Sequence, residues 1–514
     1  MSLEKVPKAA WAGAGVLLVA IIVVVVVLAS GSSSSGDSVE LNGSGSPGIS
    51  LDGTRHVTQS PIDSSTVSGL EEAWSLPAEA KSSYGAYSST PVVAKGVIYM
   101  QDLESNVQAI NLENGDVIWS KKYSQPDQGP NGVSVVEGMV FGATPTNAFA
   151  LDQETGEQLW SVKLTKGVES IDMPVGAHDE TVYVSTVPTN VSSSYPAGGV
   201  GVLYALEAKT GKERWHFNTV PPSLWGDKSV NAGGGVWYEP TFDLQTNDIY
   251  FGVGNPVPFP GAPGKPWGSS RPGPNLYTNS IVKLKGETGE LDWYYQLTPH
   301  DVYDWDLQDP PMLVKSGGRE LAIGAGKSGI VVALDSDTGK LIWKTPVGKH
   351  NGHDEDGLLA MRGEFSKLKG GTVYPGTLGG VIAPMASDGK TVFVPVVNHA
   401  LTVNSAGTEI GEGGGTGGEI DAVDVATGKI KWKHELPSAA FGAPVVVNDV
   451  VFASTYEGSV IALDAKTGAE LWVTTLPAGI NGGLTVSGDT LLVPAGATVA
   501  EGQTPELVAY RLGG

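Results

Sequence analysis

A short strand, a tight turn and a tryptophan recur in the same order along most of the chain. Each copy alternates apolar and polar residues, as a strand with one buried face does, and then reaches a glycine that usually follows a threonine. Glycine readily adopts the positive φ that such a hairpin turn needs. A tryptophan lies four residues after each of these glycines, at Trp119, Trp160, Trp215, Trp293, Trp343, Trp432 and Trp472.

The spacing of these tryptophans predicts the fold. The shortest intervals are 41 residues, from Trp119 to Trp160, and 40 residues at the C-terminal end, which is the length of one propeller blade of four strands. An eighth tryptophan, Trp74, lacks a preceding strand, and residues 507–512 supply one. Their pairing would close the ring and remove exposed sheet edges. We therefore predict an all-β, eight-bladed β-propeller of four-stranded blades with tryptophan-docking repeats over residues 61–514; seven blades are the alternative.

The N-terminal residues follow a different pattern. Residues 9–30 are apolar and long enough for one transmembrane helix. Lysines before this segment and acids after it predict that residues 1–8 are cytoplasmic and that the propeller is extracytoplasmic. Residues 31–60 are rich in Ser and Gly and are predicted to be a flexible linker. The predicted localisation is thus membrane-anchored and single-pass, with a cleaved signal peptide as the alternative to the anchor.

Composition excludes several classes of function. The chain has 55 acidic and 32 basic residues, and this net charge of −23 opposes binding to nucleic acid phosphates. Seventy glycines and 33 prolines suit many short strands joined by turns. The absence of cysteine excludes disulfides, thiolate metal sites and a CxxCH haem attachment motif.

The repeat resembles that of the pyrroloquinoline quinone (PQQ) propeller superfamily over about residues 70–512. That superfamily includes quinoprotein alcohol dehydrogenases and also non-enzymatic propellers, so the resemblance implies the fold but not the chemistry. Long insertions rich in Gly and Pro separate Trp215 from Trp293 and Trp343 from Trp432. Insertions in repeat proteins commonly form binding loops on one face, so we expect the functional residues there.

Residues 298–306, TPHDVYDWD, contain the densest group of acids near an insertion. Asp304 and Asp306 could both offer oxygens to a hard cation, and a metal-held carboxylate could take a proton from an alcohol. An acidic surface loop is the alternative. The segment resembles the PHDxWDxx motif of quinoprotein alcohol dehydrogenases, which implies that Asp304 is the catalytic base. Asp306 matches the additional acid typical of the lanthanide-dependent branch.

Three further residues fit the same resemblance. Residues 252–258, GVGNPVP, resemble the GxGNPxPW motif, which implies that Asn255 is a metal ligand. Trp237 lies eighteen residues earlier, where the family has the tryptophan beneath the quinone ring. Lys327, in GKSG, matches the basic residue that contacts the quinone oxygens and polarises the accepting carbonyl. Taken alone, these residues could also be a Gly/Pro turn, a tryptophan between blades and an ordinary turn lysine.

Other residues of the family are missing. The GAExGVRG segment reads SYPAGGVG at residues 194–201, without Glu or Arg, and the GGxNW segment reads LGGVIAP at residues 378–384. The adjacent cysteine pair is absent. Residues 350–356, HNGHDED, could bind a metal, help to close the site or form a surface loop.

The sequence therefore predicts a membrane-anchored, extracytoplasmic quinoprotein dehydrogenase that oxidises an alcohol or polyol with PQQ and a calcium or lanthanide ion. By the resemblance, Asn255, Asp304 and Asp306 would hold the metal, while Trp237 and Lys327 would contact PQQ. Without a haem motif, the electrons would leave to a separate acceptor, a cytochrome or a membrane quinone. The alternative is a non-catalytic propeller that scaffolds envelope proteins or senses a ligand.

Overall fold

The computed structural model of the protein describes residues 45–80, 82, 84–190, 195–499 and 501–513. Regular structure within these ranges is almost entirely β, as predicted. The helical elements of the described ranges are one α-helix, Asp356–Met361, and three 3₁₀ turns at Val67–Gly69, Pro266–Gly268 and Phe365–Lys367.

Eight sheets of four or five strands follow one another through the described ranges, each antiparallel except for one added strand described below. Sheet 1 comprises Val92–Ala94, Val97–Gln101, Val107–Asn111 and Val117–Lys121; sheet 2, Ser134–Val136, Met139–Ala143, Asn147–Asp152 and Gln158–Lys163; sheet 3, Gly176–His178, Thr181–Ser185, Val202–Glu207 and Glu213–Asn218; sheet 4, Thr241–Phe242, Ile249–Gly252, Ser280–Leu284 and Leu291–Gln296. Sheet 5 comprises Met312–Ser316, Arg319–Gly324, Ile330–Asp335 and Leu341–Pro346; sheet 6, Ala386–Ser387, Thr391–Val403, Ile410–Asp424 and Ile430–Leu436, with Gly371–Val373 added; sheet 7, Val445–Val447, Val450–Ser454, Ser459–Asp464 and Glu470–Thr475; sheet 8, Thr485–Ser487, Thr490–Ala495, Glu506–Leu512 and Leu70–Pro77. Two short pairs complete the strands, Glu169–Ser170 with Val187–Pro188 and Ala232–Gly233 with Pro256–Val257.

Each repeat tryptophan joins its sheet to the next one. Seven indole N–H groups donate a hydrogen bond to a backbone carbonyl in the turn between the third and fourth strands of the following sheet. The pairs are Trp74 with Leu112, Trp119 with Gln153, Trp160 with Ala208, Trp215 with Gly286, Trp293 with Ser336, Trp343 with Val425 and Trp432 with Ala465, at 2.8–3.2 Å. A Cβ on the glycine of that turn would come within 2.5–2.7 Å of the ring. The glycine of one repeat therefore receives the tryptophan of the preceding repeat.

The contacts between sheets close on themselves. Leu70–Pro77 pairs with Glu506–Leu512, with Trp74 opposite Ala509, so the predicted pairing of the Trp74 segment with the C-terminal strand is confirmed. Trp472 of sheet 7 meets the ring of Tyr510 in sheet 8 at 5.3 Å, and sheet 8 docks onto sheet 1 through Trp74. Each sheet thus contacts the next and the eighth contacts the first, which is the architecture of a β-propeller.

The hydrophobic core consists of apolar layers between neighbouring sheets. Val445 and Phe452 of sheet 7 pack against Leu491 and Val508 of sheet 8, and comparable clusters fill the other interfaces of the described ranges. The segments that lead into the first strands surround a central channel. One cavity in this channel is lined by Thr90, Pro174, Tyr238, Ala383, Ala443 and Gly483, each from the segment that enters a different sheet.

The predicted membrane-anchored, single-pass localisation is wrong. No helix in the described part of the chain has both the length and the apolar character to cross a bilayer. The prediction depended on the apolar pattern of residues 9–30 and on the charges that flank it, and residues 9–30, like the predicted cytoplasmic residues 1–8, lie outside the described ranges.

The described part of the predicted linker contacts the propeller. Its backbone bonds join Gly45 to Val135, Leu51 to Phe242, Asp52 to Leu313 and Thr54 to Ser387. His56–Val57 then pairs in parallel with the first strand of sheet 7. We call residues 45–57 the strap. Because these contacts are mostly between backbone groups, a Ser- and Gly-rich sequence can make them without an apolar pattern.

Candidate functional site

The order of the strands determines which end of the propeller carries each loop. In an antiparallel sheet, the turn between the second and third strands lies at the same end as the segment that enters the first strand. Asn255 and Lys327 follow the second strands of sheets 4 and 5, while Trp237, Asp304 and Asp306 precede the first strands of these two sheets. All five predicted site residues therefore lie at one end, which we call the site face. The strap meets the first strands of sheets 2, 4, 6 and 7 within two residues of the turns at their far ends, toward the opposite face, and it meets the first strand of sheet 5 at Leu313, near the start of that strand.

Lys327 lies between two carboxylates. Its Nζ is 2.9 Å from Oδ2 of Asp304 and 2.6 Å from Oδ2 of Asp306. The other carboxylate oxygen of Asp306 accepts a hydrogen bond of 2.6 Å from the backbone N–H of Asn255. The turn between the second and third strands of sheet 5 is fixed to the same loop, because the Lys327 N–H donates to the Asp306 carbonyl at 2.9 Å. Four of the five predicted residues thus meet directly.

Trp237 borders the same group. A Cβ on Gly254 would lie 2.6 Å from Oδ1 of Asp306 and 2.8 Å from Nε1 of Trp237. The carboxylate and the indole N–H therefore lie beside the same glycine, and only a residue without a side chain fits between them. The glycine that precedes Asn255 is required by this close approach.

Burial and charge oppose each other at Asp304. Burial raises the pKa of its carboxyl well above the usual value, the Lys327 ammonium lowers it, and Asp306 raises it again. Burial alone would lower the pKa of Lys327, but the carboxylates of Asp304 and Asp306 outweigh burial and raise it. Lys327 is therefore held as a cation, and its ammonium group contacts both carboxylates.

The loop that carries Asp304 is held in an uncommon conformation. Asp304 has a φ of 64°, in the left-handed region that non-glycine residues rarely adopt. The buried carboxylate of Asp301 accepts the N–H groups of Tyr303 at 2.9 Å and Trp305 at 2.7 Å, and so clamps the backbone on both sides of Asp304. Arg271, from the first insertion, donates to the Asp301 carbonyl at 2.6 Å.

The group of residues 350–356 packs against this loop from the second insertion. The Tyr303 hydroxyl donates to the Asp356 carboxylate, which also contacts Nδ1 of His353 at 2.7 Å. Nε2 of His350 lies 3.2 Å from the carbonyl of Gly329, in the turn that carries Lys327. These residues position the site loops and do not reach the Asp304 carboxylate, so the sequence alternative in which they help to close the site is the one that fits.

The donor set is chemically suited to a hard cation. Asp304, Asp306 and the Asn255 amide offer oxygens, which calcium and lanthanide ions prefer. Within the described ranges, no three Asp, Glu, His or Cys side chains lie close enough together to hold a metal, so a third protein ligand would have to be of another type, such as the Asn255 amide. Because Lys327 contacts Oδ2 of both acids, a metal bound to those two oxygens requires Lys327 to move. The residues fit a metal beside PQQ under that condition.

The sequence did not identify Tyr195 as a site residue. Burial raises the pKa of its hydroxyl, and the nearby Asp304 carboxylate raises it further. Its ring packs on that of Phe259 at 6.1 Å. Tyr195 belongs to the segment that lacks the family's Glu and Arg, and Phe259 replaces the tryptophan of the GxGNPxPW motif. The two departures from the family pattern therefore lie together beside the acids.

Comparison with known proteins gives consistent matches. The sequence profile of the glucose/ethanol/alcohol dehydrogenase β-propeller domain matches residues 46–135 and 163–356, and that of the outer membrane protein assembly factor BamB matches residues 367–511. The quinohemoprotein alcohol dehydrogenase of Comamonas testosteroni is 29% identical over 85% of this chain and 70% of its own length. The lanthanide-dependent methanol dehydrogenase of Methylorubrum extorquens is 27% identical over 84% of this chain and 82% of its own length.

Solved structures show the same fold. The crystal structure of the quinohemoprotein alcohol dehydrogenase from Comamonas testosteroni superimposes with a TM-score of 0.77 at 24% identity, over 93% of this chain and 81% of that one.

Proposed function

Since the chain belongs to the glucose/ethanol/alcohol dehydrogenase β-propeller family of PQQ proteins, we propose that it oxidises an alcohol or polyol at the site face. Membership confirms three predictions from the sequence: the PQQ superfamily, an oxidoreductase like the PQQ-dependent alcohol dehydrogenases, and a cofactor class of PQQ with calcium or a lanthanide ion. We further propose that the eight sheets are eight blades of one ring.

The observation that carries the proposal is the meeting of Lys327 with both Asp304 and Asp306 beside Asn255 and Trp237. These residues come from two neighbouring sheets and four separate segments. We assign Asn255, Asp304 and Asp306 as metal ligands and Trp237 and Lys327 as PQQ contacts. Tyr195 and Phe259 would then border the space open to the substrate.

Asp304 is the group that takes the hydroxyl proton in this proposal. When bound, PQQ accepts the two electrons and the metal ion acts as a Lewis acid toward the alcohol oxygen. Burial makes the Asp304 carboxylate a stronger base than an exposed aspartate, while Lys327 favours its ionised form. The ammonium of Lys327 also supplies positive charge where the accepting oxygen becomes negative. Trp237 offers a flat ring on which a planar cofactor can stack.

The electrons require a separate acceptor, because the sequence has no cysteine for haem attachment. We propose a cytochrome or a membrane quinone as that acceptor. The match of residues 367–511 to the BamB profile is the observation that favours the second candidate function, a scaffold or ligand sensor.

Reconstitution of the full chain separates these candidates. PQQ with Ca²⁺ or La³⁺ is added, quinone absorbance and metal uptake are measured, and dye reduction is assayed with primary alcohols and polyols. Asp304→Asn should lower turnover by roughly 10²–10⁴-fold, the usual contribution of a general base. Asp337→Asn, at an exposed turn of sheet 5 on the opposite face, should retain activity. No quinone uptake and no turnover in the unaltered protein would favour the scaffold.

A further inference from the structure

Four buried oxygens in the central channel have no hydrogen-bond partner among the described residues. They are Oε2 of Glu239, Oε1 of Gln308 and both carboxylate oxygens of Asp309. Asp309 is fully buried, and Glu239 is 5% exposed. An ionised carboxylate without a partner is very costly in such a place, so these groups are either protonated or contacted by internal water.

These residues lie in the segments that enter the first strands of sheets 4 and 5. Asp309 lies between Asp306 at the site face and Met312, whose strand runs to the opposite face. Glu239 lies in the same way between Trp237 and the first strand of sheet 4. A Cβ on Gly48 of the strap would come 3.1 Å from Oε1 of Glu239, so Glu239 is at the strap end of the channel. Glu239 therefore lies beside the strap, and Asp309 interacts electrostatically with Asp306 of the site.

Tyr238 is the chain neighbour of Glu239 and interacts electrostatically with both acids. Its hydroxyl and Nε2 of Gln308 donate to the same carbonyl, that of Ile382, at 3.4 and 3.1 Å. Burial raises the pKa of Tyr238, and the charges of Asp309 and then Glu239 raise it further, with Arg55 and Lys327 opposing them. The tyrosine hydroxyl is thus within electrostatic reach of both carboxyls.

The strap end of the channel can hold water. Two cavities there both border Arg55 and Glu239, and one of them also borders Ser46 and Ser50 of the strap. Arg55 is fixed as a buried cation, because its guanidinium donates to three backbone carbonyls: Pro444 at 2.7 Å, Pro47 at 3.0 Å and Leu484 at 2.8 Å. Burial raises the pKa of Glu239 to about 7, although its own backbone N–H and then Arg55 lower it.

We propose that Asp309, Tyr238 and Glu239 form a proton route through the channel, from the candidate site to the strap. The proposal rests on the proposed function. Oxidation of an alcohol to an aldehyde or ketone removes two electrons and two protons; the electrons leave to the separate acceptor, and the protons leave through these groups and internal water. Asp309 faces Asp306 and Tyr238, and Glu239 faces Tyr238 and Arg55. The route delivers protons to the face opposite the one that admits the substrate.

The groups have the properties that such a route needs. Burial, and then the charge of Asp306, raises the pKa of Asp309 well above the usual value, so its carboxyl can be protonated and both donate and accept. Glu239 exchanges its proton near neutral pH. Neither acid is among the proposed metal ligands or PQQ contacts.

Infrared spectroscopy of the full chain without cofactors tests the route directly. At neutral pH, the unaltered chain should show a carboxylic C=O band that Asp309→Asn lacks. A second band, which Glu239→Gln lacks, should titrate near pH 7. Transfer to D₂O should shift the Asp309 band more slowly in Glu239→Gln than in the unaltered chain. Glu320→Gln is the matched control, a partly buried carboxyl whose pKa is raised by burial and whose charged neighbours are Asp243, Lys315, Asp337 and Asp52, none of them in the proposed route. An ionised Asp309 at neutral pH, or exchange that is unaffected by Glu239→Gln, would overturn the route.

The loaded enzyme provides the second measurement. Glu239→Gln should lower kcat, with KM unchanged, and should remove the part of the pH profile that titrates near 7, while Glu320→Gln should do neither. Unchanged kcat and pH profile in Glu239→Gln would also overturn the route. If the unaltered chain takes up neither PQQ nor metal, the proposed function fails, and the infrared result still decides whether these carboxyls form a connected path.

Discussion

Replacing Gly156 with alanine should weaken the interface between sheets 1 and 2. The φ of Gly156 is 71°, and a Cβ there would lie 2.6 Å from Cε3 of Trp119. The left-handed backbone costs alanine roughly 1–2 kcal/mol. The Trp119 ring must also move. Overpacking then costs about 1–3 kcal/mol, and loss of the hydrogen bond from the Trp119 indole to the Gln153 carbonyl costs about 1 kcal/mol. We expect the free energy of unfolding to fall by about 3–6 kcal/mol.

Gly138 provides a matched control in the same sheet. Its φ is 81°, and a Cβ there would meet nothing within 4 Å. Gly138→Ala therefore carries the backbone cost alone, about 1–2 kcal/mol. The two variants are compared by urea unfolding, followed by far-UV circular dichroism, or by unfolding rates if refolding is incomplete. Equal losses in both variants would show that the tryptophan contact contributes nothing, and the account of sheet docking would be wrong.

Three further changes test the site and the channel. Lys327→Met should raise the affinity of the cofactor-free chain for La³⁺, measured by calorimetry, because the lysine no longer competes with the ion for Asp304 and Asp306. The same variant should lose dye reduction. An unchanged La³⁺ affinity would contradict this competition. The free energy of unfolding of the unaltered chain, relative to that of Glu239→Gln, should fall by about 3 kcal/mol as pH rises from 4.5 to 7, because folded Glu239 keeps a proton that the unfolded state releases. A difference that stays constant with pH in urea titrations would refute this. Arg55→Met should cost about 3 kcal/mol or more by unpairing buried carbonyls, and should speed hydrogen exchange at the Gly45 amide; slow exchange would show that the strap holds without Arg55.

The repeat was readable from the sequence because its signal is local. Alternating strands, a turn glycine and a tryptophan recur at fixed spacing, and these features predicted the sheets and the pairing of the Trp74 segment with Glu506–Leu512. The docking partner could not be read in the same way. Seven of the eight tryptophans pack on the glycine of the next repeat, as Trp119 does on Gly156, and a repeat read alone does not show which copy is its neighbour.

The site was predictable only through the family resemblance. Trp237, Asn255, Asp304 and Lys327 are far apart in sequence and meet because sheets 4 and 5 are neighbours. Residues without a motif were missed: Asp309 resembles any loop acid until its burial is known. The strap was assigned to a flexible linker because backbone hydrogen bonds leave no side-chain pattern.

The site loop can be compared with an equivalent segment of the same chain. Residues 437–444, PSAAFGAP, also connect a fourth strand to the next first strand, and they contain no ionisable side chain. Their alanines at 439, 440 and 443 are buried. The fold can therefore make this connection with small apolar residues alone.

The connection into sheet 5 buries Asp301, Asp304 and Asp306 instead, and Asp304 and Asp306 pair with Lys327 from the turn between the second and third strands of sheet 5. Buried ion pairs are commonly no more stable than apolar residues of similar volume, and a positive φ at a non-glycine residue costs roughly 1–3 kcal/mol. Packing of the sheets gives no reason for this arrangement, because the connection into sheet 7 dispenses with it. A scaffold would lose nothing by replacing these acids, whereas a site that binds a cation and takes up a proton needs them. The cost is therefore an argument for the dehydrogenase over the scaffold.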